Sequence, residues 1–154
     1  MLHLVDNIAV ISHHNADYLG YLAGEAHNNR FLQAIRPMSQ FAIKRANDQW
    51  GDAWEVYDPN ATIMRVEDEW QLHMEFESPW CAPLGAYDML TEQGLSVLGY
   101  VMDTSHLKFS GVYEDGDYTQ YTITNTPKYI QWAFEESYDY ERLNRPSLKE
   151  VLAA

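Results

Sequence analysis

Polar and apolar positions alternate most plainly over residues 70–77. Trp70, Leu72, Met74 and Phe76 hold one parity; Gln71, His73, Glu75 and Glu77 hold the other. A period of two predicts a strand with one core face and one polar face. Ala61–Val66 predicts its partner strand, and the acidic trio Glu67-Asp68-Glu69 a hairpin loop between them. Upstream, the β-branched run Asn7–Ser12 predicts a strand. Leu19, Leu22, Ala23 and Ala26 then recur at helical spacing, which predicts a helix over Ala16–Ala26 with Asn15 as N-cap and His13–Asn15 as the connection. Gly20 and Gly24 weaken this helix, and their spacing permits close packing. Phe31–Ile35 is apolar and stops at Pro37, and Phe41–Asp48 predicts a helical turn with Lys44 and Arg45 outward. Trp50–Asp58 runs to Pro59.

The second half repeats this logic. A turn through Ser78–Pro83 leads into a helix carrying Leu84, Tyr87, Met89 and Leu90, with Gly94 as its C-terminal cap. Strands follow over Leu95–Met102, Lys108–Glu114 and Tyr118–Thr124. Asp115-Gly116 joins the last two and is a strong type I′ hairpin signal. Tyr129–Tyr140 predicts an aromatic-rich helix, and Ser147–Ala154 a short helix capped by Ser147. The order predicts an α+β fold, an antiparallel sheet with two helices packed on one face in the split βαβ, ferredoxin-like arrangement. The chain reads as a single domain, 1–154, with a core of about 7–125 and a C-terminal helical extension over 126–154.

Composition changes the picture in one respect. The 154 residues carry 23 acidic and 10 basic side chains, a net charge of −13. Residues 1–50 hold four acids (Asp6, Asp17, Glu25, Asp48) and four bases (Arg30, Arg36, Lys44, Arg45), so the whole excess lies beyond them. Such a balance argues against direct binding to nucleic acid or to an anionic membrane, both of which need local positive charge. With 46% hydrophobic and 14% aromatic residues, the chain does not read as a disordered acidic tail. A single cysteine excludes an intrachain disulfide and a multi-cysteine zinc site. No stretch approaches the ~20 apolar residues of a membrane span. The N-terminal apolar run Leu4–Ile11 is broken by Asp6 and Asn7 and has no basic flank, so a strand is expected there rather than a signal peptide. Together these point to a cytoplasmic protein.

Four collinear segments carry a resemblance. They are the Asn-led strand Asn7–Ser12; Phe31-Leu-Gln-Ala-Ile35-Arg-Pro37-Met38; Trp50-Gly51-Asp-Ala-Trp54-Glu-Val-Tyr57-Asp58; and Phe76-Glu-Ser-Pro79-Trp80-Cys81-Ala-Pro83. The fourth is followed by Gly99-Tyr100 and by Lys108-Phe109-Ser-Gly111-Val-Tyr113-Glu-Asp115-Gly116. Over about residues 7–120 the chain resembles the YubB-like and Api-like family of phage and plasmid accessory proteins. It departs from that pattern in lacking a Trp-Cys-x-Asn start and in being shorter than many members. The resemblance implies a ferredoxin-like core and a mobile-element protein made in a bacterium. It implies no chemistry, so no catalytic residue carries over.

Each chemical candidate has a plainer reading. Cys81 lies near a helix N-terminus, where a thiolate is favoured, with His73 or His106 as candidate bases; the plainer reading is a small side chain in a tight turn. His13 and His14 are adjacent and would point to opposite faces of a strand, and the six histidines lack His-x-x-x-His spacing, so no metal is expected. Glu114-Asp115-Gly116-Asp117 lacks the alternating ligands of a calcium loop and reads as a hairpin turn. Trp50, Trp54, Tyr57, Trp70 and Trp80 could stack bases, but Asp52, Glu55 and Asp58 beside them would repel phosphate, which favours core packing. No phosphate loop or nucleophile elbow is present, so neither an enzyme nor a cofactor is expected.

The acidity remains, either as a solubilising surface or as a recognition face. The candidate face comprises Asp52, Glu55, Asp58, Glu67, Asp68, Glu69, Glu75, Glu77, Glu114, Asp115 and Asp117. Glu75 and Glu77 share one side of a strand at about 7 Å, the scale of phosphate spacing along one DNA strand. The expected function is an interaction protein that binds and inhibits or modulates a basic host protein, as a nucleic-acid mimic. A nucleic-acid-binding ferredoxin-like module and a small-molecule enzyme are the alternatives. A homodimer through a sheet edge is compatible with each.

Overall fold

The computed structural model of the chain describes residues 3–35 and 55–138. Asp52, Trp50, Trp54, the predicted turn over Phe41–Asp48 and the predicted helix over Ser147–Ala154 lie outside them. The described residues form six strands: β1 (Leu4–His13), β2 (Tyr57–Val66), β3 (Glu69–Pro79), β4 (Ser96–Asp103), β5 (Phe109–Glu114) and β6 (Asp117–Thr122). They form one sheet in the order β2-β3-β1-β4-β5-β6, with every neighbouring pair antiparallel. Four α-helices accompany it among these residues: α1 (Ala16–His27), α2 (Phe31–Ile35), α3 (Leu84–Glu92) and α4 (Lys128–Tyr138). A 3-10 turn, Ile123–Asn125, precedes α4. The architecture is α+β, as the pattern predicts, but with more helices and a different distribution than two on one face.

Alternation assigns each strand residue a side. Val5, Ala9, Ile11, Leu72, Met74, Phe76, Val97, Val101, Phe109 and Tyr113 point to an inner face and are buried. There they meet Leu19, Leu22 and Ala26 of α1, Phe31, Leu32 and Ile35 of α2, and Ala86, Tyr87 and Leu90 of α3 in one core. Full burial of each large aliphatic side chain stabilises the fold by about 1.5–3 kcal/mol. Thus three helices cover the inner face, because Phe31–Ile35 forms a helical turn rather than a plain apolar segment. The fourth helix lies on the opposite, outer face: Ile130 and Phe134, one turn apart, are buried against Met102 and Ile123, with Ile8, Tyr100, Val112 and Tyr121 around them. The first part of the expected extension is therefore an integral layer, since this i, i+4 pair needs an apolar surface to cover it.

Local chemistry sets the boundaries. Asn15 caps α1, its Oδ1 accepting from Asp17 N at 2.9 Å. Helix α3 ends in a Schellman motif: Gly94 takes φ 92°, Gly94 N donates to Thr91 O at 3.0 Å and Leu95 N to Leu90 O at 3.1 Å. Asp115 (φ 45°) and Gly116 (φ 107°) both have positive φ, as a type I′ turn requires. Val66 pairs with Glu69, so the first hairpin turns on Glu67 and Asp68 alone, and Glu69 is a strand residue. Two central glycines are roofed by tyrosines. A Cβ on Gly99 would lie 2.7 Å from the Tyr87 ring, and one on Gly111 2.5 Å from the Tyr118 hydroxyl. Buried Asn7 donates to Ser78 Oγ (2.7 Å), which donates to Cys81 O (2.6 Å), tying β1 to the turn after β3.

Candidate functional site

The outer face is read row by row from the strand register. One row runs Tyr57, Glu77, Asp6, Met102, Ser110, Tyr121. The next runs Asn60, Glu75, Ile8, Tyr100, Val112, Thr119, and a third Thr62, His73, Val10, Leu98, Glu114, Asp117. The outward positions of the six strands carry Asp6, Glu69, Glu75, Glu77, Glu114 and Asp117, and among these strands no outward position holds Lys or Arg. Strand geometry sets the scale. Glu69 and Glu75 are about 20 Å apart along β3, and β3 lies about 15 Å from β5 across the sheet. Glu114 and Asp117 stand directly opposite each other at the neck of the β5–β6 hairpin. Like charges in that relation are unfavourable in a sheet, so stability does not explain their placement.

The structure divides the expected acidic face. Glu75 and Glu77 are half-buried on β3, and Glu67, Asp68 and Glu69 are exposed at the tip of the β2–β3 hairpin. Glu114 and Asp117 are exposed at the opposite side of the sheet, and Asp58 lies exposed at the irregular start of the edge strand β2. Asp115 is exposed but engaged: its carboxylate accepts from Val97 N at 2.7 Å and from Ser96 Oγ at 3.2 Å, which holds the hairpin turn against β4. Glu55 does not belong to the face. It is 7% exposed, and its Oε1 accepts from Leu32 N and Val56 N, each at 3.1 Å. It satisfies N–H groups at the start of α2 that helix geometry leaves without partners. Burial raises its pKa, against the lowering effect of those backbone hydrogen bonds.

The other reactive side chains are muted. Cys81 is half-buried, and burial pushes its thiol up, with the Tyr118 hydroxyl 4.0 Å from Sγ. A thiol so placed is protonated at neutral pH and is a poor nucleophile. His73 on the outer face is paired with Gln71 at 2.9 Å, and burial lowers its pKa. Tyr113, desolvated beside Asp88, is pushed up to about 12, and its hydroxyl donates to Asp88 Oδ1 at 2.7 Å. Of the aromatic series, Trp70 packs half-buried against the inner core, whereas Tyr57 and Trp80 are exposed rather than packed inside. No group of three or more His, Cys, Asp or Glu among the described residues is arranged to hold a metal ion.

Two features escaped the sequence reading. Asp6 extends the outer carboxylates onto β1; its alternation with Ile8 and Val10 is visible once the strand is started at Leu4 rather than Asn7. The second is a His–Asp pair. His3 Nε2 lies 2.9 Å from Asp103 Oδ2, and buried Asp103 also accepts from Leu107 N (2.6 Å) and from Ser105 N (3.2 Å) and Oγ (3.1 Å). Burial alone would raise the Asp103 pKa, but these donors outweigh it and hold the carboxyl below its ordinary range. The pair binds the start of β1 to the β4–β5 turn. A separation of 100 residues leaves no local sequence signal for it.

An open cleft of about 350 Å³ on the hairpin is lined by Val112, Glu114, Asp115, Asp117 and Thr119. Three carboxylates beside Val112 and Thr119 suit the ammonium or guanidinium end of a long side chain. Among the described residues no helix is long and apolar enough to cross a membrane. No family model matches the chain, and no curated protein or solved structure matches it at a significant level.

Proposed function

We propose that this chain is a binding protein that docks a basic partner on the outer face of its sheet. One observation carries the reading: the outward strand positions hold six named carboxylates and neither lysine nor arginine. Opposed carboxylates at Glu114 and Asp117 and the acidic cleft beside them support it further. In this reading the chain is a phage or plasmid accessory protein, as its motifs imply. Its partner is a nucleic-acid-handling protein of the host cell, whose basic groove the carboxylates occupy in place of phosphates. The ferredoxin-like reading of the core has support in the β1-α1-β2-β3-α3-β4 segment, whose strands lie in the order β2-β3-β1-β4; β5, β6 and α4 are then additions at the β4 side. Electrostatic steering would speed association and make it strongly dependent on salt.

Capture from a bacterial lysate at ~50 mM salt, with elution by salt and by excess duplex DNA, tests this function, since 50–200 mM salt already spans large changes in phosphate-type contacts. A partner released by both supports mimicry of nucleic acid. A partner indifferent to salt and DNA contradicts it. A gel shift of DNA or RNA by the chain alone at the same low salt would favour direct nucleic-acid binding instead.

A further inference from the structure

The edge of the sheet at β2 carries a different set of features from the acidic face. Edge strands expose unpaired backbone groups and are normally blunted by prolines, bulges or charges. In β2 the irregularity and Pro59 lie at one end, between Tyr57 and Asn60. Residues Ala61–Val66 then run as an uninterrupted strand with Arg65 as its single charge. Of the large apolar side chains that are exposed among the described residues, three lie on this strand: Tyr57 (37%), Met64 (41%) and Val66 (41%). Helix α1 runs over β2, where a Cβ on Gly20 would lie 3.9 Å from Ile63 Cδ1. Gly20 and Gly24, one turn apart, are both exposed there, and exposed Tyr21 lies between them in sequence. Among the described residues, a Cβ on Gly24 would meet nothing within 4 Å, so this line of the helix offers room for close approach.

The charges of the edge are self-complementary. Asp58 stands at its start and Arg65 near its end, and the Arg65 guanidinium is held 5.7 Å from the Trp70 ring while its Nε donates to Glu67 O at 3.3 Å. We infer that β2 is the seat of a symmetric homodimer, in which the β2 strands of two copies pair antiparallel and join the two sheets into one. A two-fold axis at Thr62 sets Ala61 opposite Ile63, Asn60 opposite Met64 and Pro59 opposite Arg65 of the second copy. Each residue then faces one of its own parity, so inner and outer faces stay continuous across the joint. This register brings Arg65 of each copy to the Asp58 end of the other, where opposite charges across strands are favourable. The second copy is favoured over a basic peptide because the edge carries both signs of charge in self-complementary order, and because the two-fold brings a second α1 beside the exposed Gly20 and Gly24. Both copies are strongly acidic, so salt strengthens this contact by screening their mutual repulsion. Salt weakens a contact with a basic partner, so the two associations fail independently.

Sedimentation of the full chain across concentration, at ~20 mM and ~300 mM salt (long and short screening lengths), should show a monomer–dimer equilibrium that tightens with salt. In a Cys81→Ala background, Thr62→Cys lies on the axis, within about 5.5 Å of its mate, and should oxidise to a covalent dimer. Asn60→Cys, four residues out of register with itself, should not. Arg65→Glu should weaken the dimer about tenfold, the equivalent of 1.4 kcal/mol, and Asp58→Lys added to it should restore most of the loss. A monomer at every concentration overturns the inference, as does Asn60→Cys cross-linking as readily as Thr62→Cys. Amide protection of β2 that appears only when a different chain is bound overturns it too.

Discussion

Val5, Ala9 and Ile11 leave β1 on one side and end in a layer of three helices. Asp6, Ile8 and Val10 leave it on the other and meet α4 over only part of the sheet. The same comparison holds on β3, where Leu72, Met74 and Phe76 are buried and Gln71, His73, Glu75 and Glu77 are not. On the inner face the strand positions carry almost no charge, with Asp103 and Arg65 as the exceptions, and Asp103 is satisfied by backbone donors and His3. On the outer face, apolar positions are concentrated where Ile130 and Phe134 lie, and carboxylates surround them. One face is organised to exclude water, the other to hold a helix and still present charge.

The sharpest test of that division compares two residues of one strand. Leu72→Ala should cost about 2–5 kcal/mol through lost burial and a residual cavity, while Glu69→Gln, exposed on the outer side of the same strand, should stay within about 0.5 kcal/mol. Denaturant unfolding reads both, and equal costs would erase the distinction between faces. A second test separates the two apolar clusters. Phe134→Ala should cost about 3 kcal/mol or more and speed amide exchange in α4, leaving β1 and β3 the slowest-exchanging strands. Uniform acceleration across the sheet would mean that α4 is no separate layer.

Much of this arrangement was legible in the sequence, and the reasons for the rest are physical. Period-two alternation at 70–77, the Asn15 cap, Gly94 and Asp115-Gly116 are local signals, and the structure has each where its local chemistry requires. What alternation does not encode is which strands become neighbours or which face a later helix will cover. Tyr129–Tyr140 predicted a helix, but Ile130 and Phe134 do not say that Met102 and Val112 await them. Likewise Glu55 reads as one more acid beside aromatics until the fold brings it to the N–H groups of Leu32, across 23 residues. The candidate face was legible as a concentration of charge beyond residue 50. Strand parity adds Asp6 to the outward carboxylates, and burial at the start of α2 takes Glu55 away from them.

Two buried carboxylates sharpen the comparison through pH. Glu55→Ala should cost about 1–3 kcal/mol by leaving backbone donors unsatisfied, and Glu55→Gln less. Because the folded-state pKa of Glu55 is raised above its ordinary 4.5, its stabilising contribution is full below that value and is lost as pH rises through the raised one. Glu55→Gln should therefore gain on the wild type as pH is raised from about 4 towards neutrality, a window that follows from the ordinary carboxylate range. Asp103 behaves oppositely. Its folded pKa is depressed, so its contribution is full above its ordinary 3.8 and is lost as pH falls through the depressed value. Asp103→Asn should flatten the acid limb of the stability curve and leave the limb above pH 5 parallel to that of the wild type, since both aspartate states are ionised there. Thermal unfolding across pH checks both signs.

The proposed function requires that the outer carboxylates act as a binding face. The direct measurement is the affinity of the captured partner for wild type and for the variant Glu69→Gln/Glu75→Gln/Glu114→Gln/Asp117→Asn, each titrated at several salt concentrations. The substitutions leave Asp115 and the inner face untouched, so the fold should be retained. The variant should lose affinity by about tenfold or more, 1.4 kcal/mol per decade, with a shallower dependence on salt. Equal affinity and an equal salt slope for the two proteins would contradict the proposed function.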